Sequence, residues 1–189
     1  MTFGIPKNFE AIYADIRKLA AAVGEQVKGE AIVQNMQAEL VNLKPKGDRL
    51  IFAKGTGTFL SKRSQSPEAM PVPLRAIFFQ SGGLVPGSGT FENSIMDAAG
   101  LENLAATAGI RDYGSLSLEQ LVEMKPDVLI FSSEQKQKPT IRGEVLSHPA
   151  IRKALPKVKI VVIPSSVLKC GSPASIEAVR ILVRETRTV

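Results

Sequence analysis

A glycine-rich segment and two pairs of serines are the residues whose types and spacing best suit ligand binding. The glycine-rich segment, residues 82–90, lies between a predicted strand and a predicted helix. It lacks the Gly-Lys-Ser/Thr ending of a phosphate-binding P-loop and the third glycine of a dinucleotide fingerprint. A backbone surface for a ligand is one explanation of these glycines, and turn formation alone is the other.

Each serine pair follows a predicted strand. Ser132 and Ser133 come after the strand at residues 128–131, and Ser165 and Ser166 come after the strand at residues 159–163. In open α/β sheets, ligands bind beyond the carboxyl ends of the strands. Hydroxyl groups there can donate to a ligand, although serines also commonly cap helices. The repetition over three strand ends, glycines included, favours a shared binding edge.

Catalytic and metal chemistry have few candidate residues. The chain has one histidine, His148, and one cysteine, Cys170. One cysteine excludes an intramolecular disulfide and a cysteine-rich zinc site. A hydrolase would have to pair a serine with His148, yet no Gly-x-Ser-x-Gly motif is present. We therefore expect no enzyme, no catalytic residue, no metal site and no cofactor, and we expect His148 and Cys170 to be structural.

Composition indicates a globular chain of about one large domain. The 189 residues are 44% hydrophobic and 22% charged, with a net charge of +6. The Lys and Arg residues are interleaved with Asp and Glu instead of forming a basic stripe with aromatics, so we expect no nucleic-acid partner. No long apolar run predicts a membrane span, and no signal peptide is visible at Met1.

The spacing of apolar residues changes along the chain and predicts which helices and strands position these residues. Helical spacing predicts helices from Phe9 to Val23, with Asn8 as N-cap, and over residues 27–43. Residues 48–73, rich in Gly, Ser and Pro, are interpreted as a surface insert with at most a short strand at residues 50–53. From residue 74, strands at 74–79, 128–131 and 159–163 alternate with helices. The helices are predicted over residues 90–99, 117–124, 140–147, 149–155 and 172–187. This alternation predicts an α/β fold with a mainly parallel sheet covered on both faces.

The order and spacing of several motifs resemble one family. Residues 87–105 are similar to its pattern GxGTxxxxxLxxAGxxNxA, and residues 113–121 and 125–130 continue the similarity. His148-Pro149-Ala150 and Cys170-Gly171-Ser172-Pro173 complete it. The chain thus resembles the substrate-binding proteins of ABC importers for iron-siderophores, cobalamin and haem (class III periplasmic binding proteins) from about Pro6 to Val183.

The resemblance implies a domain organisation. It predicts joining helices at residues 1–47, an insert at 48–73 and a three-layer, Rossmann-like C-terminal lobe at 74–189. Such proteins clamp a ligand between two lobes, and this chain looks like the joining helices and one lobe, without a first lobe or export signal. Residues 167–169, Val-Leu-Lys, stand where relatives often carry a tryptophan facing the ligand. A periplasmic location is expected by resemblance only.

The resemblance also implies site residues and partners. One wall of the cleft is expected to comprise Gly82, Gly83, Leu84, Val85, Ser132, Ser133, Ser166 and Leu168. Glu119 matches a glutamate that forms a salt bridge to arginines of the membrane permease. The expected partners are an ABC permease and a small-molecule metal chelate, and uncovered apolar helix faces would suit a homodimer. The alternatives are a truncated lobe without ligand affinity and a small α/β hydrolase.

Overall fold

The computed structural model describes residues 4–44, 73–133, 149–168 and 171–187, and it begins with a hairpin of two helices. Helix α1 spans Phe9–Ala22, and Asn8 caps it by accepting a hydrogen bond from the amide of Ala11. Helix α2 spans Gln26–Leu43. A Cβ atom on Gly29 would lie 2.3 Å from the Cβ of Ala20, so the missing side chain lets the two helices approach closely. Both predicted N-terminal helices are present.

A four-stranded parallel sheet, in the order β3-β1-β5-β6, forms the centre of the described part of the chain. A separate two-stranded antiparallel ribbon pairs β2 with β4. The strands are β1 (Leu74–Phe78), β2 (Leu84–Pro86), β3 (Leu101–Asn103), β4 (Tyr113–Ser115), β5 (Val128–Ser133) and β6 (Lys159–Pro164).

Short helices connect these strands. After α1 and α2, the α-helices are α3 (Phe91–Ala98), α4 (Leu104–Thr107), α5 (Leu118–Met124), α6 (Pro149–Ala154) and α7 (Ile176–Thr186). Single 3-10 turns occupy Ser81–Gly83, Ser165–Val167 and Pro173–Ser175. None of the helices within the described ranges is both long enough and apolar enough to cross a bilayer.

Alternating side chains bury both faces of the sheet. Phe78 and Ile130 point to the face covered by α1, α2, α3 and α7, whereas Ile77 and Leu129 point to the face covered by α4, α5 and α6. All four side chains are 1% exposed or less. Strands buried on both faces have continuous apolar runs, as residues 76–78 and 128–131 do, because neither side faces water. The predicted α/β fold with a mainly parallel sheet is confirmed.

Predicted caps set several helix boundaries. Thr90 accepts a hydrogen bond from the amide of Asn93 at the start of α3, and Gly100 follows α3 with a φ of 72°. Ser117 and Gln120 form the predicted capping box of α5. The last helix differs from its prediction, since a 3-10 turn occupies Pro173–Ser175 before α7 begins.

Three strands were not predicted. Strand β2 lies inside the glycine-rich segment, and β3 and β4 follow it in the chain. Each has only three residues, too few for an alternating pattern to be recognised. The predicted helix at residues 140–147 and most of the insert at 48–73, with its short strand, lie outside the described residues.

Candidate functional site

Three neighbouring strands end at the same edge of the sheet and carry most of the predicted site residues. Strand β5 lies between β1 and β6, and all three are parallel. Phe78 pairs with Ile130, and Ser133 pairs with Pro164, so the segments that follow these strands emerge side by side. The geometry thus brings the glycine-rich segment and both serine pairs to one edge, here called the carboxyl edge.

The backbone beyond β1 turns sharply at two glycines. The amide of Gln80 donates to the carbonyl of Leu84 over 2.8 Å, which closes the turn. Gly82 and Gly83 have φ angles of 71° and 80°, in the left-handed region that favours glycine. Gly82 is exposed, and a Cβ atom on it would meet no atom within 4 Å. The bare backbone at Gly82 is therefore accessible to a ligand.

The second glycine serves packing. A Cβ atom on Gly83 would lie 2.7 Å from the carbonyl oxygen of Leu116, and the Gly83 carbonyl accepts a hydrogen bond from the amide of Leu116. Gly83 therefore holds the turn against the segment that follows β4. Close packing thus accounts for Gly83, whereas ligand binding stays a prediction for Gly82.

Leu84 and Val85 lie on opposite faces of the ribbon. Leu84 is half-buried, whereas Val85 is fully buried and packs with Ile77 and Leu129 in the core. Successive side chains of a strand point to opposite faces, which accounts for the difference. Of these two predicted wall residues, the structure leaves only Leu84 in contact with solvent.

The predicted residues beyond β5 and β6 differ in exposure. Ser133 and Ser166 are exposed, and Ser132 is half-buried. Leu168 is half-buried and packs against the core cluster that contains Phe78 and Ile130. Hydroxyl groups at Ser133 and Ser166 are thus the more accessible hydrogen-bonding side chains of the predicted set.

A polar cluster beside this edge was not predicted from the sequence. The Nε2 of Gln80 donates to Glu92 Oε1 over 3.2 Å, and the hydroxyl of Tyr113 donates to Glu92, lying 3.0 Å from Oε2 and 3.2 Å from Oε1. Burial, the nearby carboxylate of Glu92 and that of Asp112 raise the pKa of Tyr113 to about 12. The three residues are separated by 12 and 21 positions, so no local spacing indicates their contact.

The N-terminal segment runs beside the same loops. Lys7 Nζ lies 2.9 Å from Asp112 Oδ1, and a Cβ atom on Gly171 would lie 2.1 Å from Cγ of Pro6. Phe9 meets Phe91 edge to face, with ring centroids 5.3 Å apart. The start of α1 is thereby attached to the loop before β4 and to the start of α3.

Glu119 lies on α5, away from these groups in the chain. It is exposed in the first turn of that helix, where a carboxylate interacts favourably with the helix dipole. The capping box formed by Ser117 and Gln120 determines where the helix starts. The sequence-based placement of Glu119 in a first helical turn is confirmed, while its role is not tested by this geometry.

Two residues considered as chemical candidates, His148 and Cys170, lie outside the described residues. Within the described ranges, no group of three or more His, Cys, Asp or Glu side chains is placed to hold a metal ion. The candidate site therefore consists of the backbone at Gly82, the hydroxyl groups of Ser133 and Ser166, and the cluster around Glu92.

Comparisons with known proteins bear on what such a site does. The sequence model of one family, described as periplasmic binding protein, matches residues 1–167. No curated protein matches the sequence significantly. The matching family and the similar structures are binding proteins and not enzymes.

Several solved structures share the fold. The periplasmic haem-binding protein RhuT of Roseiflexus in its apo form has a TM-score of 0.68 at 21% identity, over 97% of this chain and 65% of that one. A possible iron-binding periplasmic protein of Staphylococcus epidermidis has a TM-score of 0.73 at 14% identity, over 98% and 65%. An ABC-type Fe3+-hydroxamate transport system structure from Saccharomonospora viridis has a TM-score of 0.69 at 15% identity, over 97% and 58%. The chain thus spans less than two thirds of the length of these structures.

Proposed function

Because this chain belongs to the periplasmic binding protein family, we propose that it supplies one wall of the ligand cleft in the substrate-binding component of an ABC importer. The ligand class is a metal chelate: an iron-siderophore, a corrinoid such as cobalamin, or haem. The observation that carries the proposal is the carboxyl edge, where Gly82, Ser133 and Ser166 are all exposed. Backbone and hydroxyl groups at such an edge can donate to the oxygen-rich rim of a chelate.

The second wall would come from another lobe. The chain spans 65% of the RhuT structure, and that protein is described as haem-binding. We therefore propose that residues 1–47 are joining helices, residues 48–73 an insert and residues 74–189 one lobe, with a second lobe completing the cleft. Capture between lobes, docking on the permease and release as the lobes separate would follow, with ATP hydrolysed elsewhere in the importer. The site of action would be the periplasm.

A titration tests the ligand class. Ferric hydroxamate, cobalamin and haemin are added separately to the chain, and their absorbance spectra report binding. At least one probe should bind saturably. The double substitution Ser133→Tyr and Ser166→Tyr should then weaken binding about ten-fold or more, because the two rings block the carboxyl edge. The control Lys157→Tyr places the same side chain just before β6, at the opposite edge, and should leave binding unchanged.

A lobe without affinity on its own is the second candidate. One open wall buries far less of a small ligand than a closed pocket, which limits its affinity. The fraction of the relatives' length that the chain spans favours this candidate. Absence of saturation with all three probes would support it and would contradict ligand capture by this chain alone. The hydrolase alternative is dropped, since the family is one of binding proteins.

Glu119 is the proposed docking residue for the permease. An exposed carboxylate at a helix start suits a bidentate contact with arginine. Glu119→Lys should slow association with a permease in lipid nanodiscs several-fold, because charges at an interface rim act mainly on association. Glu123→Lys, at an exposed position one turn further along α5, is the matched control. Equal effects of both variants, measured by surface plasmon resonance, would contradict a specific role.

The homodimer expected from the sequence stays a prediction. The side chains of Leu19, Val23 and Val27 are more than half exposed at the junction of α1 and α2, and they are the surface that a dimer would use. Sedimentation velocity over a range of protein concentrations decides between monomer and dimer.

A further inference from the structure

The ring of Tyr113 lies on the outward face of the β2–β4 ribbon. Tyr113 pairs with Pro86, and Ser115 pairs with Leu84. Residues that are opposite each other in an antiparallel pair share a face, and Val85, between them, points into the core. Tyr113 therefore shares its face with Leu84, a residue of the proposed cleft wall. The residue is 52% exposed, so a large part of its ring is available for contact.

The hydroxyl of Tyr113 is held at the carboxyl edge. It donates to Glu92, whose Oε1 also accepts from Gln80, the second residue beyond β1. A neutral phenol has a single proton to donate, and here that proton points to the carboxylate. The ring is consequently fixed at both its Cβ and its oxygen, which lowers the entropy that a ligand contact would cost.

The oxygen of Tyr113 is already engaged by Glu92, to which it donates its proton. Coordination by a phenol requires the phenolate, and burial together with the charges of Glu92 and Asp112 raises the pKa of Tyr113 to about 12. The accessible chemistry is that of the ring face, which attracts other flat conjugated rings.

We propose that Tyr113 is a specificity residue of the cleft, and that its ring, fixed by Glu92 and Gln80, stacks against a flat conjugated ring of the ligand. This inference rests on the proposed function and narrows it to planar ligands. It also gives this wall a large aromatic contact, although Val167, Leu168 and Lys169 provide none.

The first experiment needs no ligand. Tyr13 and Tyr113 are the two tyrosines, so Tyr13→Phe leaves Tyr113 as the sole phenol for an ultraviolet absorbance titration. Adding Glu92→Gln should shift its ionisation to lower pH, because the neutral amide removes the charge that opposes phenolate formation. Glu102→Gln, a half-buried carboxylate elsewhere on the lobe, is the control. An unchanged titration in the Glu92 variant would overturn the proposal whatever the ligand is.

The second experiment compares planar and non-planar probes. Metal-free protoporphyrin IX and haemin are the planar probes, and a ferric hydroxamate chelate is the non-planar one. Tyr113→Leu should weaken porphyrin binding about ten-fold or more, whereas Tyr113→Phe, which keeps the ring but loses the bond to Glu92, should weaken it by only about two- to three-fold. The hydroxamate chelate should respond less to Tyr113→Leu.

The outcomes separate the inference from the proposed function. Loss of haemin affinity in Tyr113→Phe equal to that in Tyr113→Leu would show that the oxygen matters and would overturn stacking. Unchanged affinity in Tyr113→Leu would overturn it as well. Binding of the hydroxamate without either porphyrin overturns this inference but supports the proposed function, whereas binding of no probe overturns both this inference and ligand capture by this chain alone.

Discussion

The four-stranded sheet and the β2–β4 ribbon are neighbours on the carboxyl edge, but different interactions hold them in place. The sheet is stabilised by apolar burial on both faces, with Ile77 and Ile130 fully buried. The ribbon buries Val85 and Pro86, and its position also depends on close backbone contacts and on the hydrogen bond from Tyr113 to Glu92. The sheet therefore provides most of the apolar stabilisation, whereas polar and backbone contacts hold the ribbon and leave the Tyr113 ring half exposed.

The largest expected effect of a single substitution is in the sheet. Ile130→Ala would remove a fully buried side chain from the central strand β5 and leave a cavity, at a cost of about 3–4 kcal/mol in the free energy of unfolding. Urea denaturation followed by circular dichroism measures it. The control Ile5→Ala changes a side chain that is 94% exposed and should have almost no effect. A cost below about 1 kcal/mol at Ile130 would contradict the assignment of this strand to the centre of the core.

Three of the four strands of this sheet, all except the three-residue β3, could be predicted from the sequence. Runs such as residues 128–131 are apolar at every position because both faces of the strand are buried, and helices with clear caps separate them. The periodicity of each segment depends on its own burial, so local sequence is sufficient. The expectation that three strand ends meet at one edge follows directly from parallel pairing.

A glycine directly after strand β2 of the ribbon should give the next largest effect. A Cβ atom on Gly87 would lie 2.0 Å from the carbonyl oxygen of Ile110, so Gly87→Ala must displace backbone on one side. We expect a loss of about 2 kcal/mol in unfolding free energy, typical of overpacking. Gly4→Ala, where a Cβ meets nothing within 4 Å, is the control. Equal stability of the two variants would show that the ribbon tolerates displacement more easily than its backbone contacts suggest.

The ribbon and its polar cluster could not be predicted from the sequence. Strands β2 and β4 are three residues long, and 26 residues, including α3, β3 and α4, lie between Pro86 and Tyr113. The contact of Glu92 with Tyr113 depends on that pairing, and each residue alone has an ordinary local role. The predicted wall residue Val85 shows the same limit, because its burial depends on which face of an unpredicted strand it occupies.

Thr90 joins the two regions and should have an intermediate effect. Its buried hydroxyl donates to the carbonyl of Gly87 over 2.8 Å and accepts from the amide of Asn93, which begins α3. Thr90→Ala should lower unfolding free energy by about 1 kcal/mol through loss of the cap. Thr90→Ser keeps the hydroxyl and should retain most of the stability. If Thr90→Ser is as destabilised as Thr90→Ala in urea denaturation, packing of the methyl group and not the cap is the important contact.

The smallest expected effect appears only at alkaline pH, and it distinguishes the ribbon from the sheet because the sheet strands carry no phenol. The ordinary pKa of tyrosine is 10.0, and that of Tyr113 is raised to about 12, chiefly by burial and then by Glu92. Between these values the unfolded chain loses the phenol proton while the folded chain keeps it, so stability falls as pH rises. Tyr113→Phe removes this contribution, and its unfolding free energy should fall less steeply than that of wild type over the same range.

Tyr13→Phe is the comparison variant, since the pKa of Tyr13 is also raised, by burial and by Glu10. Parallel curves for wild type and Tyr113→Phe, from urea denaturation at several pH values, would mean that burial and Glu92 together do not hold this phenol in its neutral form.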